Sequence, residues 1–402
     1  MSNTIKRRGF LQWISASTAI AAAGSPLAVL GSELEKSLPD TIAFLTKPYL
    51  QNPDPSAMTV CWLTNKKCVS WVELSVGDEP VVKVQHATDG LIAVNDSIQK
   101  IRLEHLLPGT VYRYQVFSKE ILKFDPYKLV YGNTIASEKY QFTTPGMMAE
   151  EVSMIILNDI HDRPASFSHL MNINGAHPYD LVFLNGDMFD FQKNEVQLVS
   201  NLLNPCGEIF STIKPFLFIR GNHETRGSFA RDIHGYFENI DDANYFAFTQ
   251  GPVHFICLDT GEDKEDSHQE YGGLVNFDAY RERQSVWLEQ QLKSRAYRKA
   301  KYKVVLMHIP HYHSGEAHGV LHCRKMFGDL FNQYKIDLLI CGHTHVYGVH
   351  LPQEGHNFPI IIGGGPLVSK RTVMRLHADQ MRLSITMTRD DGVIVGEYST
   401  SG

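Results

Sequence analysis

Between residues 40 and 145 apolar and polar positions alternate in short runs, and after residue 152 the apolar runs become continuous. In VYRYQVF, Tyr112, Tyr114 and Val116 alternate with Arg113 and Gln115, so a strand here presents one dry face and one wet face. TVCWL, SWVELSV and IQKIRLEHL are short runs divided by Asn-Pro, Gly-Asp, Asp-Gly and Pro-Gly pairs at the spacing of a β-sandwich. The pattern predicts an all-β domain over residues 40–146, closed by the linker Phe142-Thr143-Thr144-Pro145-Gly146.

The later runs, VSMIIL, LVFL, PFLFI, VHFICL, KVVLM and DLLIC, read as strands covered on both faces. Helical spacing lies between them. Met326, Phe327, Leu330, Phe331 and Tyr334 recur at helix intervals, as do Val196, Val199 and Leu203, where Asn204-Pro205 is expected to stop the helix. After Gly363-Gly364-Gly365 two closing strands, MRLSITMT and VIVGEYS, are predicted. Residues 150–400 therefore read as an α/β domain, and the chain as multidomain, which 402 residues allow.

A formal net charge of -6 gives no sign of a nucleic-acid-binding surface. The 19 histidines change the picture more, since imidazole is the commonest metal ligand. Residues 1–31 combine a Lys6-Arg7-Arg8 head with LQWISASTAIAAA, an apolar run too short to span a bilayer, and read as an export signal. Paired arginines followed by Phe10-Leu11 resemble the twin-arginine type, which implies a periplasmic or otherwise exported chain without a transmembrane span once the signal is removed. The six cysteines show no CxxC; Cys61 and Cys68 flank a predicted hairpin, and sequence does not fix whether they are bridged.

The candidate chemistry lies where the strands stop. VSMIIL runs into Asp159 and His161, LVFL into Asp187 and Asp190, PFLFI into Asn222, His223 and Glu224, KVVLM into His308, and DLLIC into His343 and His345. In sheets flanked by helices, sites form at the carboxyl ends of strands. Carboxylates gathered in one cleft repel and shift toward protonation unless cations neutralise them, so the set asks for metal. Asp159, His161, Asp187, Asn222, His308, His343 and His345 are too many for one tetrahedral ion; with Asp187 bridging, two ions receive four ligands each. Mixed nitrogen and oxygen donors without thiolate suit manganese, zinc or iron.

The ordered blocks Asp-x-His, Gly-Asp-x-x-Asp, Gly-Asn-His-Glu, His308 and Gly-His-Thr-His, over about residues 152–365, resemble the calcineurin-like metallophosphoesterase superfamily. The β domain in front and VVLMHIPHYHSGEAHGVLH ahead of GHTH resemble purple acid phosphatases in particular. Leu106-Leu107-Pro108-Gly109-Thr110-Val111-Tyr112 is similar to the corner of fibronectin type III domains, where a Tyr hydroxyl ties back to backbone. The resemblance implies a fibronectin type III-like sandwich followed by a two-sheet β-sandwich flanked by helices. It implies Asp159, His161 and His345 on one ion, Asn222, His308 and His343 on the other, and Asp187 shared. It implies His223 facing the leaving group and His318 near the phosphate, with His311, His313 and His322 as rivals for that place. Arg163 and Arg226 adjoin the motif loops, where they either touch phosphate or form surface salt bridges. Purple acid phosphatases carry Tyr where this chain has Asp190 and no His in the Asp-x-Gly block, so the resemblance implies a colourless site here. Asp190 either orients a ligand or caps a helix.

The expected activity is that of an exported, metal-dependent phosphoesterase in which a metal-bridging hydroxide attacks a small-molecule phosphate ester, acid phosphatase-like on monoesters. A phosphodiesterase or nucleotidase on the same core stays open beside it. So does a binding protein with a vestigial phosphoesterase domain, against which the complete ligand set argues. An amidohydrolase would place its His-x-His pair on the first barrel strand, whereas here it follows the last long αβ unit.

Overall fold

A computed structural model describes residues 41–95 and 97–401 of the chain; the predicted signal at 1–31 lies outside them. Strands Tyr49–Asp54, Ala57–Leu63 and Ile98–Leu103 form one antiparallel sheet. A second antiparallel sheet runs through Lys128–Ala136, Val111–Asp125, Cys68–Val76 and Val82–Val84, with Tyr140–Thr143 also on Val111–Asp125. The two sheets close over Trp62, Val72, Tyr112, Tyr114, Val116 and Phe142. Trp62 is fully buried, and its indole N–H finds the Ser118 hydroxyl at 3.0 Å. The Leu107 amide donates to the Tyr112 hydroxyl at 2.7 Å, a backbone tie of the kind the corner motif predicts.

The strand that contains TVCWL is buried on both faces, every residue of Ala57–Leu63 being buried. Met58, Val60 and Trp62 face the core between the two sheets, while Cys61 and Leu63, with Tyr49 of the neighbouring strand, face the larger module and join Phe210, Phe216 and Phe237. The Tyr49 hydroxyl donates to the Tyr236 carbonyl at 2.7 Å, and Tyr114 donates to Thr212 at 2.7 Å. All six cysteines are buried and none is joined in a disulfide, so Cys61 and Cys68 are unbridged.

The larger module is built on two six-stranded sheets. One runs Phe216–Ile219, Leu181–Asn185, Val152–Leu157, Thr372–Ala378, Arg382–Arg389, Ile394–Ser401. The other runs Phe246–Gln250, Val253–Leu258, Tyr302–Met307, Leu338–Cys341, Ile360–Ile362, Gly348–His350. Met154, Ile156, Phe183, Phe255, Val304 and Ile340 fill the space between the sheets. The alternate residues point outward: Ile155, Leu157 and Leu184 meet Phe167, Leu170 and Leu202 on helical segments, and Val305 and Met307 meet Leu288, Phe327 and Phe331. Burial on both faces is why these strands read as unbroken apolar runs.

One expectation is overturned. Asn204-Pro205 does not stop the helix, for the backbone stays helical through Asn204–Ile209. A π-helical turn, Val199–Leu203, precedes it, and Pro205 falls in the first turn of the next segment, where a missing N–H costs little. Because Tyr49 is buried against the larger module, Tyr49→Ala should destabilise the protein by about 4 kcal/mol. Urea unfolding should show both modules shifting together in one transition; a split into two transitions would contradict the shared core.

Candidate metal centre

Val152–Leu157, Leu181–Asn185 and Phe216–Ile219 run parallel in one sheet, and Tyr302–Met307 and Leu338–Cys341 run parallel in the other, so each group of carboxyl ends opens onto the same rim. The loops that leave them are tightly turned. Asp159, His161, Asp187, His343 and His345 all have left-handed φ, between 50° and 74°. Such strain persists only where surroundings enforce it, and it gathers at functional sites. Here Asp159 N–H donates to Gly186 and His161 N–H to Asp187, each at 3.0 Å, stitching the first loop to the second. A Cβ at Gly221 would run into the Asp187 carboxylate, and one at Gly342 into that of Asp159. Only glycine lets the loops approach this closely.

The predicted residues converge as two overlapping groups. Ligand atoms of Asp159, His161, Asp187 and His345 lie within 4.8 Å of one another, as do those of Asp187, His308 and His343. Asp187 belongs to both. Asn222 joins the second group, its Oδ1 being 3.0 Å from His343 Nδ1. His345 Nε2 lies 3.0 Å from His161 Nε2 and 3.2 Å from Asp159 Oδ1.

Ring nitrogens that face away are held by neighbours. His308 Nδ1 donates to the Asn185 carbonyl at 2.8 Å, which turns Nε2 toward Asp187 Oδ2, 3.0 Å away. His161 Nδ1 meets Asp190 Oδ1 at 3.0 Å, which answers the question left open for Asp190: it orients His161. Imidazole nitrogens that face one another and two buried carboxylates form a donor set that fits a pair of cations.

The electrostatics point the same way. Burial pushes the Asp159 and Asp187 carboxyls up, but bonds and charge from His161, His308 and His345 outweigh it at Asp159, and those of His308 with the His223 charge do so at Asp187, so both are held below the usual range. Burial pulls His308 down, yet Asp187 and Asp159 drive it up to about 10, while burial and the His308 charge bring His343 down to about 4. Acids that draw a proton onto a buried imidazole make a field that a cation would satisfy.

Not every predicted residue is brought in. Arg163 is exposed and donates to the His161 carbonyl, outside both groups. His318 is held by Asp278, 2.9 Å from both carboxylate oxygens, and His322 lies 3.3 Å from the same acid. His311 is buried in ring contact with Phe358, and His313 stacks on His350. His223 does reach the rim, its ring 4.6 Å from that of His161.

The sequence reading gives Glu224 no role and passes over Asp259 and Glu262. Glu224 is fully buried and accepts four backbone N–H groups, from Gly221, Asp187, Met188 and Phe189, which locks the Asp187 loop to the Asn222 loop. Burial and Asp187 push its carboxyl up to about 7 against those four donors. Asp259 takes Arg220, and Glu262 takes Arg226 in a two-pronged pair of 2.7 and 2.9 Å. The signal for the last two was present, since VHFICL also ends in polar residues, Asp-Thr-Gly-Glu.

Known proteins share this architecture. A purple acid phosphatase from yellow lupin (Lupinus luteus) seeds superposes with a TM-score of 0.66 at 16% identity, over 88% of this chain and 74% of that one. In sequence, probable purple acid phosphatase 20 of Arabidopsis thaliana is 20% identical over 77% of this chain and 69% of its own length. Purple acid phosphatase 1 of Ipomoea batatas is 25% identical over 55% of this chain, which spans 48% of that relative's length. Residues 152–347 match the model of the calcineurin-like phosphoesterase family. Those matched residues carry both ligand groups, so the part of the chain that is similar to calcineurin-like phosphoesterases is the part that holds the candidate metal centre.

Proposed function

We propose that the chain is an exported phosphatase of the purple acid phosphatase type, acting on phosphate monoesters through two metal ions drawn from manganese, zinc and iron. The observation that carries this reading is the sharing of Asp187 between two ligand groups. Asp159, His161 and His345 would hold one ion with Asp187; Asn222, His308 and His343 would hold the other with it. Two such ions would acidify a water and clamp the oxygens of a phosphoryl group. Around them, Asp190 aims His161, the Asn185 carbonyl aims His308, and Glu224 fixes the separation of the Asp187 and Asn222 loops. His223 stands at the edge of the rim, beside Asp187 and His161, where the leaving group of an ester held by the ions on those residues would emerge.

Residues 40–146 form the fibronectin type III-like domain of this reading, supported by the two antiparallel sheets and the Leu107 to Tyr112 tie, and residues 150–400 form the catalytic domain. Export rests on the Arg7-Arg8 signal at residues 1–31.

The purified chain loaded in turn with manganese, zinc and iron should hydrolyse an aryl phosphate monoester faster than the corresponding diester; no turnover with any metal would sink the reading. Asp187→Ala should bind neither ion and lose about a thousandfold or more in kcat/KM. Two metal equivalents retained by that variant would refute the shared carboxylate. Asp190→Asn should weaken the ion on His161 by about 10- to 100-fold and leave the other unchanged, which stepwise metal titration resolves.

A further inference from the structure

The donor and acceptor capacities around His223 fix its ring. Its Nδ1 lies 2.6 Å from the Asp190 carbonyl oxygen, which only accepts, so Nδ1 carries the proton. Its Nε2 lies 3.1 Å from a terminal guanidinium nitrogen of Arg226, which only donates, so Nε2 presents a lone pair. Both nitrogens are thus engaged, and His223 offers no N–H to an oxygen entering the rim. The donor at that place is Arg226.

Arg226 is built to stay there. Its Nε and one terminal nitrogen grip the buried Glu262 carboxylate, which also takes the Thr225 hydroxyl at 3.0 Å. Of the five guanidinium hydrogens, two go to Glu262 and one to His223. The nitrogen that touches His223 keeps a second hydrogen outside these bonds. The side chain is 27% exposed and lines a cavity of about 340 Å³, together with Ser228, Arg231, Glu270, Tyr271 and Leu274. A purely structural ion pair would need Glu262 alone. This guanidinium instead stands between the ligand groups, one imidazole away, and an open cavity.

We propose that Arg226 is a catalytic residue that donates to an oxygen of the substrate phosphoryl group, with Glu262 and His223 as its positioning residues and the adjoining cavity taking the organic part of the ester. This rests on the phosphoesterase reading above. A guanidinium held in one orientation by a two-pronged carboxylate meets an anionic oxygen with little ordering left to pay.

The test uses the full, metal-loaded chain with inorganic phosphate as probe, its binding followed by calorimetry and its inhibition by turnover of an aryl phosphate. Arg226→Met should keep two metal equivalents, weaken phosphate by about tenfold or more, and lower kcat/KM by at least as much. Arg226→Lys, which keeps the charge without the fork, should fall between, and Glu262→Gln should lose part of the same affinity. Phosphate affinity within about twofold of wild type in both Arg226 variants, with metal retained, would overturn the proposal. Wild-type protein that binds phosphate and turns over no ester would overturn the phosphoesterase reading alone, and the Arg226 contact would still be decided by phosphate affinity.

Discussion

The rest of the site depends on two carboxylates kept dry and close together. Asp159 and Asp187 are both about 1% exposed, and the side chains that pair with them are histidines. Burial of that kind is unfavourable unless positive charge and hydrogen bonds compensate it. Much of the local structure serves this end. The His343 amide and the Asn158 side chain donate to Asp159, the His223 amide donates to Asp187, and left-handed turns aim those groups inward. Glu224 adds a third buried acid, but one saturated with four backbone N–H groups, so it fastens loops and leaves the facing nitrogens free.

The scaffold makes such a site affordable in strain. Two sheets packed face to face hold five strand ends at fixed separations, and each outer face is covered, by helical segments and, on one sheet, by the β module. Ligands from one sheet meet ligands from the other across the rim: Asp187 faces His308 and Asp159 faces His345. Loop strain at five ligand positions is tolerable because the strands that bear them are locked by this core. The β module contributes to that rigidity, since Tyr49, Cys61 and Leu63 complete the apolar cluster beneath the first sheet.

Much of this was legible in the sequence because period and position carry physical information. Unbroken apolar runs revealed doubly covered strands, and polar residues at their ends revealed the rim; all seven ligand candidates meet there. What was not legible depends on orientation. Nothing in the order of residues says that His318 turns to Asp278, that His311 is buried in ring contact with Phe358, or that Asp190 takes His161. Those outcomes are set by side chains distant in sequence, 40, 47 and 29 positions away respectively. Pro205 misled for a local reason, as a π turn before it removed the conflict that a proline normally creates inside a helix.

The arrangement of Arg226 follows from the same constraint as the ligands. An arginine four residues beyond Asn222 in the loop, left unrestrained, would be drawn to Asp187, where a permanent cation would neutralise the carboxylate that metal ions need. The buried Glu262 claims it instead, and does so through both oxygens, so the guanidinium cannot swing inward without leaving that acid unpaired. Its remaining reach ends on His223, whose own ring is pinned by the Asp190 backbone. Positive charge is thereby kept beside the acid pair and out of it, and the same acid that restrains Arg226 is what makes it an ordered donor at the edge of the rim.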